Sequence, residues 1–184
     1  MEEYEGHNDI PVLNRTQKWL SEFIIKLSIC PFAKSVFDKN KIRFKIHEHD
    51  DLLESLKNCI EFIASFLIED PHATGFFIFS KGFDEFDDLL DFNDRLEWAM
   101  EDSGLDTHFQ LVAFHPNFKY ADSDEDSPGN FTNRSPYPML HVLNRASVRS
   151  AIDSYPDVSS IPDINKCRLE NIGLEELKKI LKSS

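Results

Sequence analysis

The residues best suited to chemistry gather in one stretch, His115 to Pro138, which reads HPNFKYADSDEDSPGNFTNRSPYP. The ordinary pKa of a histidine suits proton transfer near neutrality, so His115 is a candidate general acid or base. Arg134 is the only cation between Lys119 and Arg145. Its planar fork suits a carboxylate or phosphate. Asn117, Asn130, Asn133 and Ser135 would orient such a substrate, and His141 follows a few residues on. Cys30, far upstream, would be an optional nucleophile. Together these residues describe an enzyme acting on a small anionic metabolite.

Each has a plainer reading. Arg134 can pair with the aspartates just upstream and tie the loop down. Asn130 and Asn133 can be turn residues that bond their own backbone. His141 lies in an apolar run and suits a hydrogen-bonded core histidine. Cys30 sits where a helix is expected to end, and a helix C-terminus disfavours a thiolate. There it would be a small buried residue.

Two further patterns point towards a metal-dependent hydrolase. His47 and His49 would point to the same side of an extended strand, a spacing at which two imidazoles can share a metal. A solvated strand end explains them equally. Asp122, Asp124 and Asp126 occupy the first, third and fifth positions of a calcium loop. The sixth position, Ser127, should be Gly and the twelfth, Asn133, should be Glu. No metal ligand set is assigned, and the pattern names no cofactor, which stays unknown. Neither GxGxxG, a P-loop, GxSxG nor HExxH occurs. That lack of a complete motif keeps a third reading open, a non-catalytic module that binds a ligand or a protein.

The elements that must position these residues follow from periodicity. Residues 12–29 carry Trp19, Leu20, Phe23, Ile24 and Leu27 at helical spacing. Ile42 to His47 alternates and predicts a half-buried strand. Asp51 to Ile68 predicts a second helix with an aspartate cap. Thr74 to Ser80 is a nearly continuous apolar run and predicts a central strand. Asp84 to Glu101 predicts a third helix, stopped by Gly104. Phe109 to Phe114 and Met139 to Leu143 are the third and fourth strands. Short helices are expected at Ser147 to Ser154 and near Leu174 to Leu181.

Helices alternating with strands imply an α/β fold. The expected architecture is a βαβαβ core in a four-stranded, mostly parallel or mixed sheet. It has an extra N-terminal helix, a long loop between strands three and four, and C-terminal helices. Strand four can run in either direction. If the first three strands are parallel, their polar exits (His47 onward, Ser80 onward, His115 onward) gather on one edge, where open α/β sheets bind ligands. Residues 1–11 are expected to be a flexible tail, with His7 in it, and residues 12–184 one globular domain.

Net charge −13 repels phosphate backbones, so nucleic acid is excluded as a partner. Neither a signal peptide nor an apolar run of membrane-spanning length is visible. Three widely spaced cysteines imply a reducing compartment. The expectation is a cytoplasmic protein, without membrane partner and of unknown oligomeric state.

Three segments also resemble one known family. They are Leu27-Ser-Ile-Cys-Pro-Phe-Ala33, Phe114-His-Pro-Asn117 and Asn130-Phe-Thr-Asn-Arg-Ser-Pro-Tyr-Pro-Met-Leu-His141. They are similar to the hallmarks of domain of unknown function 1415, a bacterial family, from about residue 12 to 170. The matching positions are Cys30, Pro31, His115, Pro116, Asn130, Asn133, Arg134, Ser135, Pro136 and His141. The resemblance implies a bacterial cytoplasmic protein and supplies no mechanism.

Overall fold

The computed structural model describes residues 9–183; His7 and the rest of 1–8 lie outside them. Helix α1 (Asp9–Trp19) continues into a π-helical turn, Leu20–Ile25, and a short helix α2 (Ala33–Asp38) follows. Then come β1 (Ile42–His47), α3 (Leu52–Glu69), β2 (Thr74–Phe79), α4 (Phe86–Ser103) and β3 (Phe109–Phe114). The chain ends with β4 (Met139–Asn144), α5 (Arg145–Asp153), α6 (Ile161–Ile172) and α7 (Leu174–Ser183).

The sheet is mixed, in the order β1-β2-β4-β3. β1 and β2 are parallel, and β4 runs antiparallel to both β2 and β3. The three strands read as parallel therefore are parallel. However, β3 is not the neighbour of β2, because β4 is inserted between them. Local signals mark the helix ends as expected. Asp51 caps α3 by accepting the Glu54 N–H at 2.8 Å, and Gly104 ends α4 in the left-handed region at φ 73°.

Both faces of the sheet are covered. Phe77, Phe79, Leu140, Val142 and Phe109 pack against α3 and α4 through Ile63, Phe66, Leu89, Phe92 and Leu96. Phe76, Ile78 and Met139 pack against Trp19, Phe23 and Ile24, with Leu169 from α6 and Leu177 from α7. Every residue of β2 is buried, as a continuous apolar run requires.

β1 is partly buried over Ile42 to Phe44 and at Ile46, as a half-buried strand should be, and exposed at Lys45, but the cover on the α3 side corrects the reading of its far end as solvated. Arg43 lies over the rings of Phe62 and Phe66, at 5.4 and 4.7 Å. His47 is buried, not solvated, and its Nε2 lies 2.8 Å from Ser55 Oγ of α3. Burial pushes its pKa down, helped by the nearby His49. Two segments escaped the periodicity. The first helix stops short of residue 29, because the wide turn at Ile24 and Ile25 gives way to Ser28 at φ 51°. Helix α6 is too polar on most of its length (IPDINKCRLENI) to announce itself.

Gly75 lets α3 approach the sheet. A Cβ there would stand 2.6 Å from Phe66 Cζ and 2.7 Å from Phe62 Cζ. Gly75→Ala should therefore destabilise the protein by about 1–3 kcal/mol through overpacking. Urea unfolding at neutral pH measures this, and an unchanged midpoint would show that the rings yield freely.

Candidate functional site

The two ends of the His115 to Pro138 loop meet, since Phe114 pairs with Met139 across the β3–β4 ladder. The loop is a folded object with its own polar interior. His115 is buried; its Nε2 lies 2.8 Å from the Phe83 carbonyl and its Nδ1 accepts the Asn117 N–H at 3.0 Å. Nε2 must then carry the proton, because a carbonyl can only accept. Both ring nitrogens are committed, and burial lowers the pKa despite the Phe83 carbonyl.

Asn130 is fully buried and uses both ends of its amide. Its oxygen accepts from Tyr120 N–H and Ser123 Oγ, at 3.1 and 2.6 Å. Its nitrogen donates to the carbonyls of Asp124 and Glu125, at 2.8 and 3.2 Å. Arg134 donates from Nε to the Phe118 carbonyl and from Nη2 to the Glu125 carbonyl, at 3.1 and 2.7 Å. Its guanidinium lies over Phe131 at 4.7 Å. The cation thus binds backbone carbonyls of the loop, sharing that of Glu125 with Asn130. Ser135 Oγ donates to the Tyr137 carbonyl at 2.6 Å. Asn117 is exposed and contributes its backbone N–H.

The polar strand exits do share one edge, but they bond one another. Ser80 donates from N and from Oγ to the His47 carbonyl, at 3.0 and 3.1 Å. Asp122, Asp124 and Asp126 are exposed, and Asp126 pairs with Lys178 of α7 at 3.1 Å. Among the described residues, no three His, Cys, Asp or Glu side chains are grouped so as to hold a metal ion.

A cavity of about 420 Å³ lies elsewhere, between the α1-facing side of the sheet and the helical layer. Phe76, Val112 and His141 line it from the sheet, Trp19 and Ile24 from the N-terminal helical segment, and Val148 and Asn165 from α5 and α6. Cys30 and Asn133 also line it. The structure therefore divides the predicted set. Cys30, Asn133 and His141 meet at this cavity, while His115, Asn117, Asn130, Arg134 and Ser135 are not among its lining residues. No described lining residue is Asp, Glu, Lys or Arg.

Cys30 lies in the turn between the π-helical segment and α2, not at the end of a long helix. Burial raises its pKa, and the N–H groups of Phe32 and Ala33 oppose that only in part. It is a thiol rather than a thiolate. Asn133 donates to the Ala113 carbonyl at 3.2 Å and accepts from Tyr120 Oη at 3.2 Å. His141 stacks on Phe76, its cross-strand partner, with centroids 4.1 Å apart. Burial holds its pKa down to about 3, so the ring is neutral at physiological pH.

The model of a protein family of unknown function, DUF1415, matches residues 11–179. The chain belongs to this family. No curated protein and no solved structure matches it. In this DUF1415 chain, no helix among the described residues is long and apolar enough to cross a membrane. Sequence reading missed Thr74, Trp19 and Asn165 as cavity residues. Thr74 left a signal, a hydroxyl opening an otherwise apolar strand. Asn165 left none, because α6 itself was not expected.

Two outcomes follow for this DUF1415 protein. Asn130→Ala should cost at least about 2–4 kcal/mol, since it strands several buried loop groups at once; urea unfolding checks it. The histidines set a pH dependence. His47, His115 and His141 all have folded pKa values below the ordinary 6.5. The unfolded chain then binds more protons, so their contribution is complete above pH 6.5 and is lost as pH falls below it. For His141 the loss runs at about 1.4 kcal/mol per pH unit towards its folded value. Unfolding free energies at pH 7 and pH 5 should differ by about 2 kcal/mol less in His141→Phe than in the wild type. Equal pH slopes in the two proteins would contradict this.

Proposed function

We propose that this protein binds an uncharged, largely apolar small molecule in the cavity between the sheet and the helical layer. The observation that carries the reading is the lining, which offers a volume of about 420 Å³ and no formal charge among its described residues. Cavities of that size, with apolar and aromatic walls and a few polar atoms, are the usual form of small-molecule sites. Trp19, Phe76 and Phe114 supply the aromatic walls. His141, Asn133 and Cys30 supply polar atoms.

An anionic metabolite held by His115, Arg134 and the asparagines is the weaker reading. Arg134 already gives Nε and Nη2 to two loop carbonyls, and it is buried, so it presents no free fork to an anion. His115 would have to break both of its ring contacts before moving a proton. A carboxylate in the cavity would be desolvated with no Lys or Arg among the described lining residues to pair with it, His72 being the exposed imidazole there, at a cost of several kcal/mol. On the proposed reading, residues 12–184 act as one unit and the loop is the wall that closes it. We keep the cytoplasm as its compartment, supported by the free thiols of Cys30, Cys59 and Cys167.

Calorimetric titration with 2-methoxynaphthalene and with 2-naphthoate tests the proposal. The neutral compound should bind at least about tenfold more tightly than the carboxylate. Val148→Trp, which fills the cavity from α5, should abolish binding while the protein stays folded. Tighter binding of the carboxylate, or binding undisturbed by Val148→Trp, would turn attention back to the loop.

A further inference from the structure

We infer that the ligand of this cavity carries an O–H or N–H group on an aromatic, otherwise apolar skeleton, and that Nδ1 of His141 accepts a hydrogen bond from it. This names the ligand class for the binding site proposed above and rests on that reading. The starting point is Thr74, at the first position of β2. Its Oγ1 lies 2.5 Å from the Val142 carbonyl and 2.7 Å from Nε2 of His141.

A threonine hydroxyl has a single proton. The Val142 carbonyl can only accept, so the proton of Thr74 must go there. An unprotonated O···O contact at that distance would be repulsive. Thr74 Oγ1 is left to accept, and Nε2 of His141 must be the donor. The relay His141 Nε2–H to Thr74 Oγ1–H to Val142 carbonyl therefore fixes the tautomer. It leaves Nδ1 as a bare lone pair.

That lone pair has no partner among the described residues. His141 has no ring hydrogen bond besides the Thr74 contact, and no undescribed interaction is attached to it. Nor is Nδ1 sealed, since Asn93 Oδ1 is the buried side-chain polar atom without a partner among the described residues. His141 keeps part of its surface accessible, and it lines the cavity, so that surface faces the cavity. The amide groups of neighbouring lining residues are already engaged. Asn133 and Asn165 donate to the carbonyls of Ala113 and Ile29, and Asn144 Oδ1 accepts from Ser147 N–H.

The burial that holds the ring neutral also sets what it can read. A protonated imidazole would be a donor and would attract anions. A neutral one with Nε2–H committed is an acceptor in an apolar surround, where an unmatched lone pair is costly. Only a donor on the ligand satisfies it. Trp19, Phe76 and Phe114 line the same space and suit a flat aromatic body of the phenol or indole kind. Thr74 acts through His141 and is a positioning residue.

A matched pair of probes decides the matter by calorimetry on the full-length protein. 2-Naphthol should bind about five- to tenfold more tightly than 2-methoxynaphthalene, the worth of one net hydrogen bond. In His141→Phe that preference should fall to within about twofold, read as the ratio of the two affinities in that one variant. Thr74→Val should erase the preference too, since the ring proton is then free to move to Nδ1. Thr74→Ser, which keeps the hydroxyl, should retain it. Nitrogen-15 spectra of labelled protein should show Nε2 protonated, with the Nδ1 resonance moving on addition of 2-naphthol. Failure of 2-methoxynaphthalene to bind the wild type would sink the binding reading and this inference with it. Equal affinities for the two probes, or a preference that survives in His141→Phe, would sink this inference alone.

Discussion

β4 runs against the three other strands and sits between two of them, and the rest of the molecule follows from that placement. Strand β3 finishes at the edge where β1 and β2 finish. An antiparallel neighbour must start at that same edge. The chain therefore leaves and re-enters the sheet between two paired residues, Phe114 and Met139. All of the intervening segment has to fold back on itself there. Apart from one short 3-10 turn, Pro128–Thr132, its backbone groups need other partners, since an unpaired buried group costs as much as a lost hydrogen bond. Asn130, Arg134 and His115 meet that need with side chains. The loop's polar wealth is first an answer to its own backbone.

The same placement puts His141 in the middle of the sheet. It faces Phe76 on one side and Val112 on the other. In the interior, with Thr74 taking its Nε2–H, it is held neutral in one tautomer. The helical layer over this face comes from segments far apart in the chain, including α1, α5 and α6. Residues of α1 and α6 join Trp19 and Phe23 in one core cluster, while α5 only lines the cavity left over the Phe76–His141 stack. Trp19 links the layers, donating its indole N–H to the Arg134 carbonyl at 3.1 Å. The loop and the cavity wall are thus braced against each other.

Much of the fold was legible because it is locally encoded. Alternation in Ile42 to His47, the apolar run at Thr74, the Asp51 cap and the Gly104 stop each report on backbone geometry within a few residues. The failures were equally physical. Helix α6 lacks an apolar stripe, so periodicity had nothing to detect. His47 reads as polar and outward on its own strand, yet α3 lies over that face, and no property of β1 says so. The site was harder still. His115 and Arg134 have the right chemistry for an anion site, but residue type does not reveal that both ring nitrogens of His115 and the Nε and Nη2 of Arg134 already serve the backbone.

By itself the sequence determined the α/β class, the main elements and the family, because these depend on short-range pattern and on motif identity. It also marked His115, Arg134, the asparagines, Cys30 and His141 as candidates by residue type alone. Tertiary structure decided what those residues touch. Only the order of the strands brings Thr74 to His141 across many residues of chain. Only the packing of α1, α5 and α6 over one face decides that the space beside them is uncharged. Hydrogen-bond commitment and burial are properties of assembled neighbours, and they turned a loop that promised acid–base chemistry into a wall and a quiet core histidine into the candidate reader of a ligand.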